Sequence, residues 1–411
     1  MALQHLPSRR ELLISSGVLF AWAHVPKIAR AEGRDPRLLT IVLRGALDGL
    51  GMVAPVGDPR WSSLRGNSAL SLGGQTPALP LDGFFALHPA MSNLHRLYHG
   101  GQAIIAHAVA TPYRERSHFD GQDVLESGLA APGRADTGWL NRAFAAIEPS
   151  ERVNTGTREA FAMGPIAPLV VRGPAPVFSW TPPRVPPANE DTLMRLVDLY
   201  RHTDPIFARV LESRRGLLAL AREGGMDQQV RPGQAAQPAQ VRAYFAEAAG
   251  TAAKFLSRAD GPRIGALSFD GWDTHAAEGV LNGRLALLLG ALDGAIAAIE
   301  KEMGAAWSES VVTIITEFGR TARLNGTDGT DHGTGTVAIL AGGALKGGRV
   351  IADWPGLKDS DLHDQRDLRP TTDLRAVLKG VLRDHLRVPE TALSTTVFPA
   401  SEAAKPITGL V

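Results

Sequence analysis

Several short stretches of this chain are apolar almost from end to end, and three of them run straight on into acidic or histidine residues. Leu38–Leu43 is followed by Arg44-Gly45-Ala46-Leu47-Asp48, Ile264–Phe269 by Asp273 and His275, and Val311–Thr316 by Glu317, with Asp331 and His332 shortly after. Ala103–Val109 and Thr336–Leu340 are further runs of the same kind. A short apolar run without alternation reads as a strand buried on both faces, which is the habit of parallel sheets. Between these runs lie helical patterns: His88–Tyr98, a helix that begins near His118 and stops at Gly128, His275–Lys301 and Leu374–Leu386. Strands alternating with helices predict an α/β fold, a three-layer sandwich around a mainly parallel central sheet. Such a sheet gathers the carboxyl ends of its strands on one edge, where ligands bind. Asp48, Asp273, His275, Glu317, Asp331 and His332 are therefore the candidate metal ligands.

The chain has 411 residues and no cysteine, which excludes disulfides, thiolate metal sites and cysteine nucleophiles. Any ion must be held by His, carboxylate, amide, hydroxyl or water. Mixed imidazole and carboxylate ligands suit Zn or Mn, and a carboxylate-dominated set suits Ca or Mg. A formal net charge of +1 gives no argument for a nucleic-acid partner.

Residues 1–31 read as an export signal. Ser8-Arg9-Arg10 is a twin-arginine arrangement, ISSGVLFAWA is a modest apolar stretch, and Ala29-Arg30-Ala31 offers small residues for cleavage. This predicts handling by the twin-arginine export machinery and a mature domain, 32–411, in the periplasm or outside the cell. Elsewhere no stretch reaches the roughly 18 apolar residues a membrane span needs. Residues 55–83 read as a long loop, and 190–258 as a helical insertion that caps the domain and shapes a leaving-group pocket.

Ser117 precedes a helix after a strand, where converging N–H groups favour an anion, so it is a candidate nucleophile. His118 is a candidate proton donor to the leaving group. Arg320 is a candidate clamp for a tetrahedral anion, as are Arg323, Arg114 and Arg116.

The blocks RGALDGL, SHFDGQD, TGWLNR, GWDTH, TEFGRT, GTDHGTG, LAGGALKGGRV and TTDLRAVL resemble the signatures of the twin-arginine-exported "domain of unknown function one-five-zero-one" family. That family is placed in the alkaline phosphatase-like superfamily with sulfatases and cofactor-independent phosphoglycerate mutases. The resemblance implies divalent metals on the carboxyl edge of the sheet and a hydroxyl between them that attacks phosphorus or sulfur. It matches Asp48, Asp273, His275 and His332 to metal ligands, Ser117 to the nucleophile, and Glu317 to a position usually held by Asp-His. Position 318 is Phe where a further His ligand is expected. The expected activity is metal-dependent hydrolysis of a phosphate or sulfate ester on an anionic small molecule or saccharide. The alternatives are a degenerate site used for binding or assembly, and a metal-assisted reaction on a sugar or polysaccharide.

Overall fold

The computed structural model describes residues 34–133, 135–148, 160–163, 167–180 and 238–411. The export signal expected at 1–31 and most of the expected insertion, 190–237, lie outside these residues. The compact unit Pro36–Val411 holds every described strand. In chain order these are β1 (Arg37–Arg44), β2 (Val53–Ala54), β3 (Leu79–Pro80), β4 (Ala86–Leu87), β5 (Ala103–Ala110), β6 (Ala160–Met163), β7 (Val177–Trp180), β8 (Ile264–Asp270), β9 (Ser310–Thr316), β10 (Thr336–Ala341), β11 (Arg349–Ile351) and β12 (Thr372–Asp373). The longer described helices are α1 (Ser92–His99), α2 (His118–Ser127), α3 (Trp139–Ala146), α4 (Pro238–Ser257), α5 (Arg284–Met303) and α6 (Leu374–Asp384).

The main sheet has the order β11-β5-β10-β9-β1-β8-β6-β7, with β12 also paired to β5. Every pairing in it is parallel except the two made by β10, which runs against both β9 and β5. The carboxyl ends of β1, β5, β8 and β9 therefore share one edge. The antiparallel β10 starts at that same edge, so the residues just before it, Asp331 and His332, arrive there too.

Period-2 alternation sorts each strand between two cores. Leu39, Ile41, Leu43, Val312, Ile314 and Ile339 pack on one face, under α1, α4 and α5. Leu38, Val42, Val311, Ile315, Ala338 and Leu340 pack on the other, under α3 and α6. Each fully buried aliphatic side chain contributes roughly 1.5–3 kcal/mol. This is the expected three-layer arrangement. The long helix starts later than its apolar spacing suggests, at Arg284 rather than His275. Backbone bonds from Ala277 to Thr327 and from Glu278 to Asp328 hold 277–278 against the 325–333 loop instead. The described end of the expected insertion, α4, packs its Phe245, Ala249, Ala252 and Phe255 into the core beside α5, within a covering layer. The loop expected at 55–83 contains a short helix, Trp61–Arg65, and β3.

One buried histidine ties stability to pH. His107 in β5 donates from Nε2 to the Val53 carbonyl at 2.9 Å and accepts the Ala108 N–H on Nδ1 at 2.8 Å, which fixes the neutral ring. Burial pushes its pKa down to about 4. A depressed folded-state pKa means stability is present above the unfolded value of about 6.5 and is lost as pH falls toward 4. Urea unfolding between pH 7.5 and 4 should show a loss on the order of 3 kcal/mol that His107→Gln largely removes.

Candidate metal centre

The carboxyl edge of the sheet brings three imidazoles onto one carboxylate. Asp273 Oδ1 lies 3.0 Å from His275 Nε2 and 3.3 Å from His332 Nε2, and Asp273 Oδ2 lies 3.4 Å from His118 Nε2. Ligand atoms of His118, Asp273 and His332 all fall within 4.8 Å of one another. Atoms bound to one ion at about 2.0–2.1 Å stand roughly 2.9–3.4 Å apart when they are neighbours.

The outer nitrogens fix what the inner ones can do. His118 Nδ1 is 2.9 Å from Glu317 Oε1, His275 Nδ1 is 3.1 Å from Asp331 Oδ1, and His332 Nδ1 is 2.9 Å from the Arg116 carbonyl. Carbonyls and ionised carboxylates only accept, so each Nδ1 carries the proton, and in the neutral ring each Nε2 presents a lone pair. His275 Nε2 and His332 Nε2 are nevertheless only 3.0 Å apart. Two lone pairs at that distance repel unless a cation lies between them. His118 Nε2 is buried and has no hydrogen-bond partner. This donor set fits a divalent ion, and the carboxylate–histidine pairing is how such ligands are usually oriented.

The supporting layer is built from the same strand ends. Glu317 is fully buried, and its Oε1 accepts from Gly45 N at 2.8 Å and from Gln122 Nε2 at 3.2 Å besides His118, while Thr316 Oγ1 reaches Oε2 at 3.0 Å. Burial alone would raise its pKa; the bonds from His118 and the neighbouring donors outweigh that and hold it below the ordinary value. The bond to Glu317 in turn raises the pKa of His118, and burial lowers that of His332. Gly45 has φ +116°, and a Cβ there would sit 2.6 Å from Asp273 N, so only glycine lets β1 come this close. Gly329 has the same role opposite, where a Cβ would meet the His275 carbonyl at 2.2 Å. Arg116, at φ +60°, turns its carbonyl onto His332. Asp273 is opposed by burial but kept ionised by Arg320, whose Nη1 lies 2.6 Å from Oδ1.

The model of the family described as "Protein of unknown function (DUF1501)" matches residues 35–397. This chain belongs to that family. No curated protein sequence matches it. Among solved structures, the DUF1501 chain is similar to Ps i-CgsB in complex with k-i-k-neocarrahexaose, at 10% identity and TM-score 0.40, covering 91% of this chain and 77% of that one. It is similar to the phosphonate monoester hydrolase of Agrobacterium radiobacter at 11% identity and TM-score 0.34, over 86% and 74%. A protein in the alkaline phosphatase superfamily from Vibrio parahaemolyticus gives 13% identity and TM-score 0.32, over 77% and 62%. Scores this low leave the chemistry of the DUF1501 chain to its own side chains.

Of the residues singled out in the sequence, Asp273, His275 and His332 meet around one point, with Asp331 and Glu317 one hydrogen bond behind them. Asp48 does not join them. Its two oxygens accept from Arg65 Nη1 and Nη2 at 2.7 and 2.8 Å, with both side chains buried. Glu317 meets the centre through His118, its Oε1 accepting from His118, Gly45 and Gln122. Arg320 is buried and bound to Asp273, Thr330 Oγ1 and the Thr330 carbonyl, which leaves it no free edge to clamp an anion. Arg323 pairs with Asp359, Arg116 with Asp364 and Asp367, and Arg114 with the carbonyls of Thr111 and Tyr113. Ser117 is the N-cap of α2 and makes no side-chain capping bond. His118, expected as a proton donor, has its Nδ1 bound to Glu317 and its Nε2 turned inward without a hydrogen-bond partner. Phe318 stacks on it, with ring centroids 5.1 Å apart.

Two supports were not read from the sequence, Gln122 and Asn325, and neither was Arg65, the partner of Asp48. Gln122 stands four residues after His118 on α2, hence on the same helix face, and that spacing was a usable signal. Asn325 Nδ2 bonds both Asp331 Oδ1 and the His275 carbonyl, at 3.1 and 2.9 Å. Glu317→Gln should keep the shape of the site but weaken its hold on His118, and metal affinity is expected to fall about 10–100-fold in chelator competition.

Proposed function

We propose that this chain is an exported, metal-dependent hydrolase of phosphate or sulfate esters. The observation that carries the reading is the set of three Nε2 atoms turned on Asp273, each imidazole anchored through its other nitrogen. His118, His275, His332 and Asp273 would hold the ion, and the donor types suit Zn or Mn. Such an ion supplies Lewis acidity toward a phosphoryl or sulfuryl oxygen. Three neutral imidazoles and one carboxylate leave it a net positive charge, which suits an anionic substrate. Asp331, Glu317 and the Arg116 carbonyl keep the imidazoles in the ligating tautomer, and Arg320 keeps Asp273 ionised and in position.

Ser117 is assigned the attack, because it adjoins His118 and its hydroxyl is not spent on capping α2. Its Oγ forms the new bond to phosphorus or sulfur, and the alcohol leaves with the hydroxyl proton. Water then cleaves the serine ester, restoring the hydroxyl and releasing the inorganic anion. Export rests on Ser8-Arg9-Arg10 and the small residues at Ala29–Ala31. Among the described residues no helix is long and apolar enough to cross a membrane.

The test is hydrolysis of 4-nitrophenyl phosphate and 4-nitrophenyl sulfate by chain stripped with chelator and then reloaded with Zn²⁺ or Mn²⁺. The reading expects turnover of one ester that disappears on stripping and returns on reloading. Metal-loaded chain that hydrolyses neither would overturn it in favour of a binding role.

A further inference from the structure

A second set of imidazoles lies on α1, which leads into the amino end of β5, whereas the centre described above stands at the carboxyl edge. His95 and His99 are four residues apart, hence on one face of the helix, and both face the carbonyl of Pro80 in β3. Pro80 O is 2.8 Å from His95 Nε2 and 3.2 Å from His99 Nε2, and the two Nε2 atoms are 3.0 Å apart. Three donor atoms thus form a nearly equilateral triangle. Its edges match the roughly 2.9–3.4 Å expected between neighbouring ligands bound at about 2.0–2.1 Å.

Protons satisfy this triangle only in part. The carbonyl only accepts, so both of its contacts require an N–H, one from each ring. The two N–H groups then oppose each other across the third edge. Removing one proton relieves that edge and leaves a bare nitrogen facing the carbonyl oxygen. A cation over the face satisfies all three atoms at once. His99 is exposed and His95 half-buried, so the outer coordination positions are open to water.

We propose that His95, His99 and the Pro80 carbonyl form a separate binding site for a late first-row divalent ion such as Zn²⁺ or Ni²⁺. Imidazole suits these ions. The site ties β3 and the segment before it to α1, and its role is to brace that segment.

Tag-free chain titrated with Ni²⁺ alone provides the test. Wild type should bind one more equivalent than His99→Gln or His95→Gln, with circular dichroism unchanged, since His99 is a surface residue. Ni²⁺ should raise the melting midpoint of wild type more than that of either variant. The equivalent assigned here should survive in His118→Ala, which removes a ligand of the other centre and so separates the two claims. Equal stoichiometry in wild type, His95→Gln and His99→Gln would overturn the proposal. Loss of all binding in His118→Ala would do the same.

Discussion

His332→Ala is expected to lower ester hydrolysis by at least about a thousandfold, with loss of the ion from the carboxyl-edge centre. His332 contacts two of the other three members there, His275 Nε2 at 3.0 Å and Asp273 Oδ1 at 3.3 Å. Its removal leaves two ligands from the 272–275 loop and one from α2 without the bridge between them. The side chain is 24% exposed, so the fold should tolerate the change. Equilibrium dialysis and turnover measured on the same preparation check the pairing of the two losses. A comparison with Ser117→Ala then separates holding the ion from attacking the ester. Ser117→Ala should keep the metal and lose the turnover, whereas His332→Ala should lose both.

Arg65→Met is expected to destabilise the chain by about 3–5 kcal/mol, because it leaves the Asp48 carboxylate buried without a counter-charge. The side chains of Arg65 and Asp48 are 0% and 1% exposed, and the pair is bidentate. Arg65 Nε also donates to the Ala322 carbonyl at 2.7 Å, so a second buried acceptor is orphaned. The double variant Asp48→Asn/Arg65→Met should recover much of the loss, since no uncompensated charge remains. Urea unfolding of the two single variants and the double variant gives the coupling. The folded fraction of each is expected to bind Zn²⁺ as wild type does, because both Asp48 oxygens face Arg65 and not the imidazole cluster.

The contrast between Asp48 and Asp273 shows how far the sequence could be read. Both follow apolar runs that become neighbouring parallel strands, β1 and β8, so the sheet and its carboxyl edge were legible from continuous burial alone. Which side a residue takes beyond the strand end is set by partners far away in the chain. Asp48 meets a guanidinium from a segment that reads as loop, and Asp273 meets Arg320, His118 and His332 from other strand ends besides its neighbour His275. The same limit hid the role of His118. Its local setting at a helix start suggests proton transfer, but its Nδ1 partner, Glu317, is 199 residues away. Arg320 beside a glycine-rich loop reads as an anion clamp until Asp273 and Thr330 are seen to occupy it. The start of α5 escapes the apolar spacing for a related reason: backbone bonds to the 325–333 loop, invisible to periodicity, hold 277–278 out of the helix.

Crystals soaked in Zn²⁺ or Mn²⁺ and measured across the absorption edge of the metal test the central claim most directly. An anomalous peak bonded to His118, Asp273 and His332, with His275 alongside, is the predicted result. A peak on Asp48, or an empty centre in chain that turns over its ester, would contradict it.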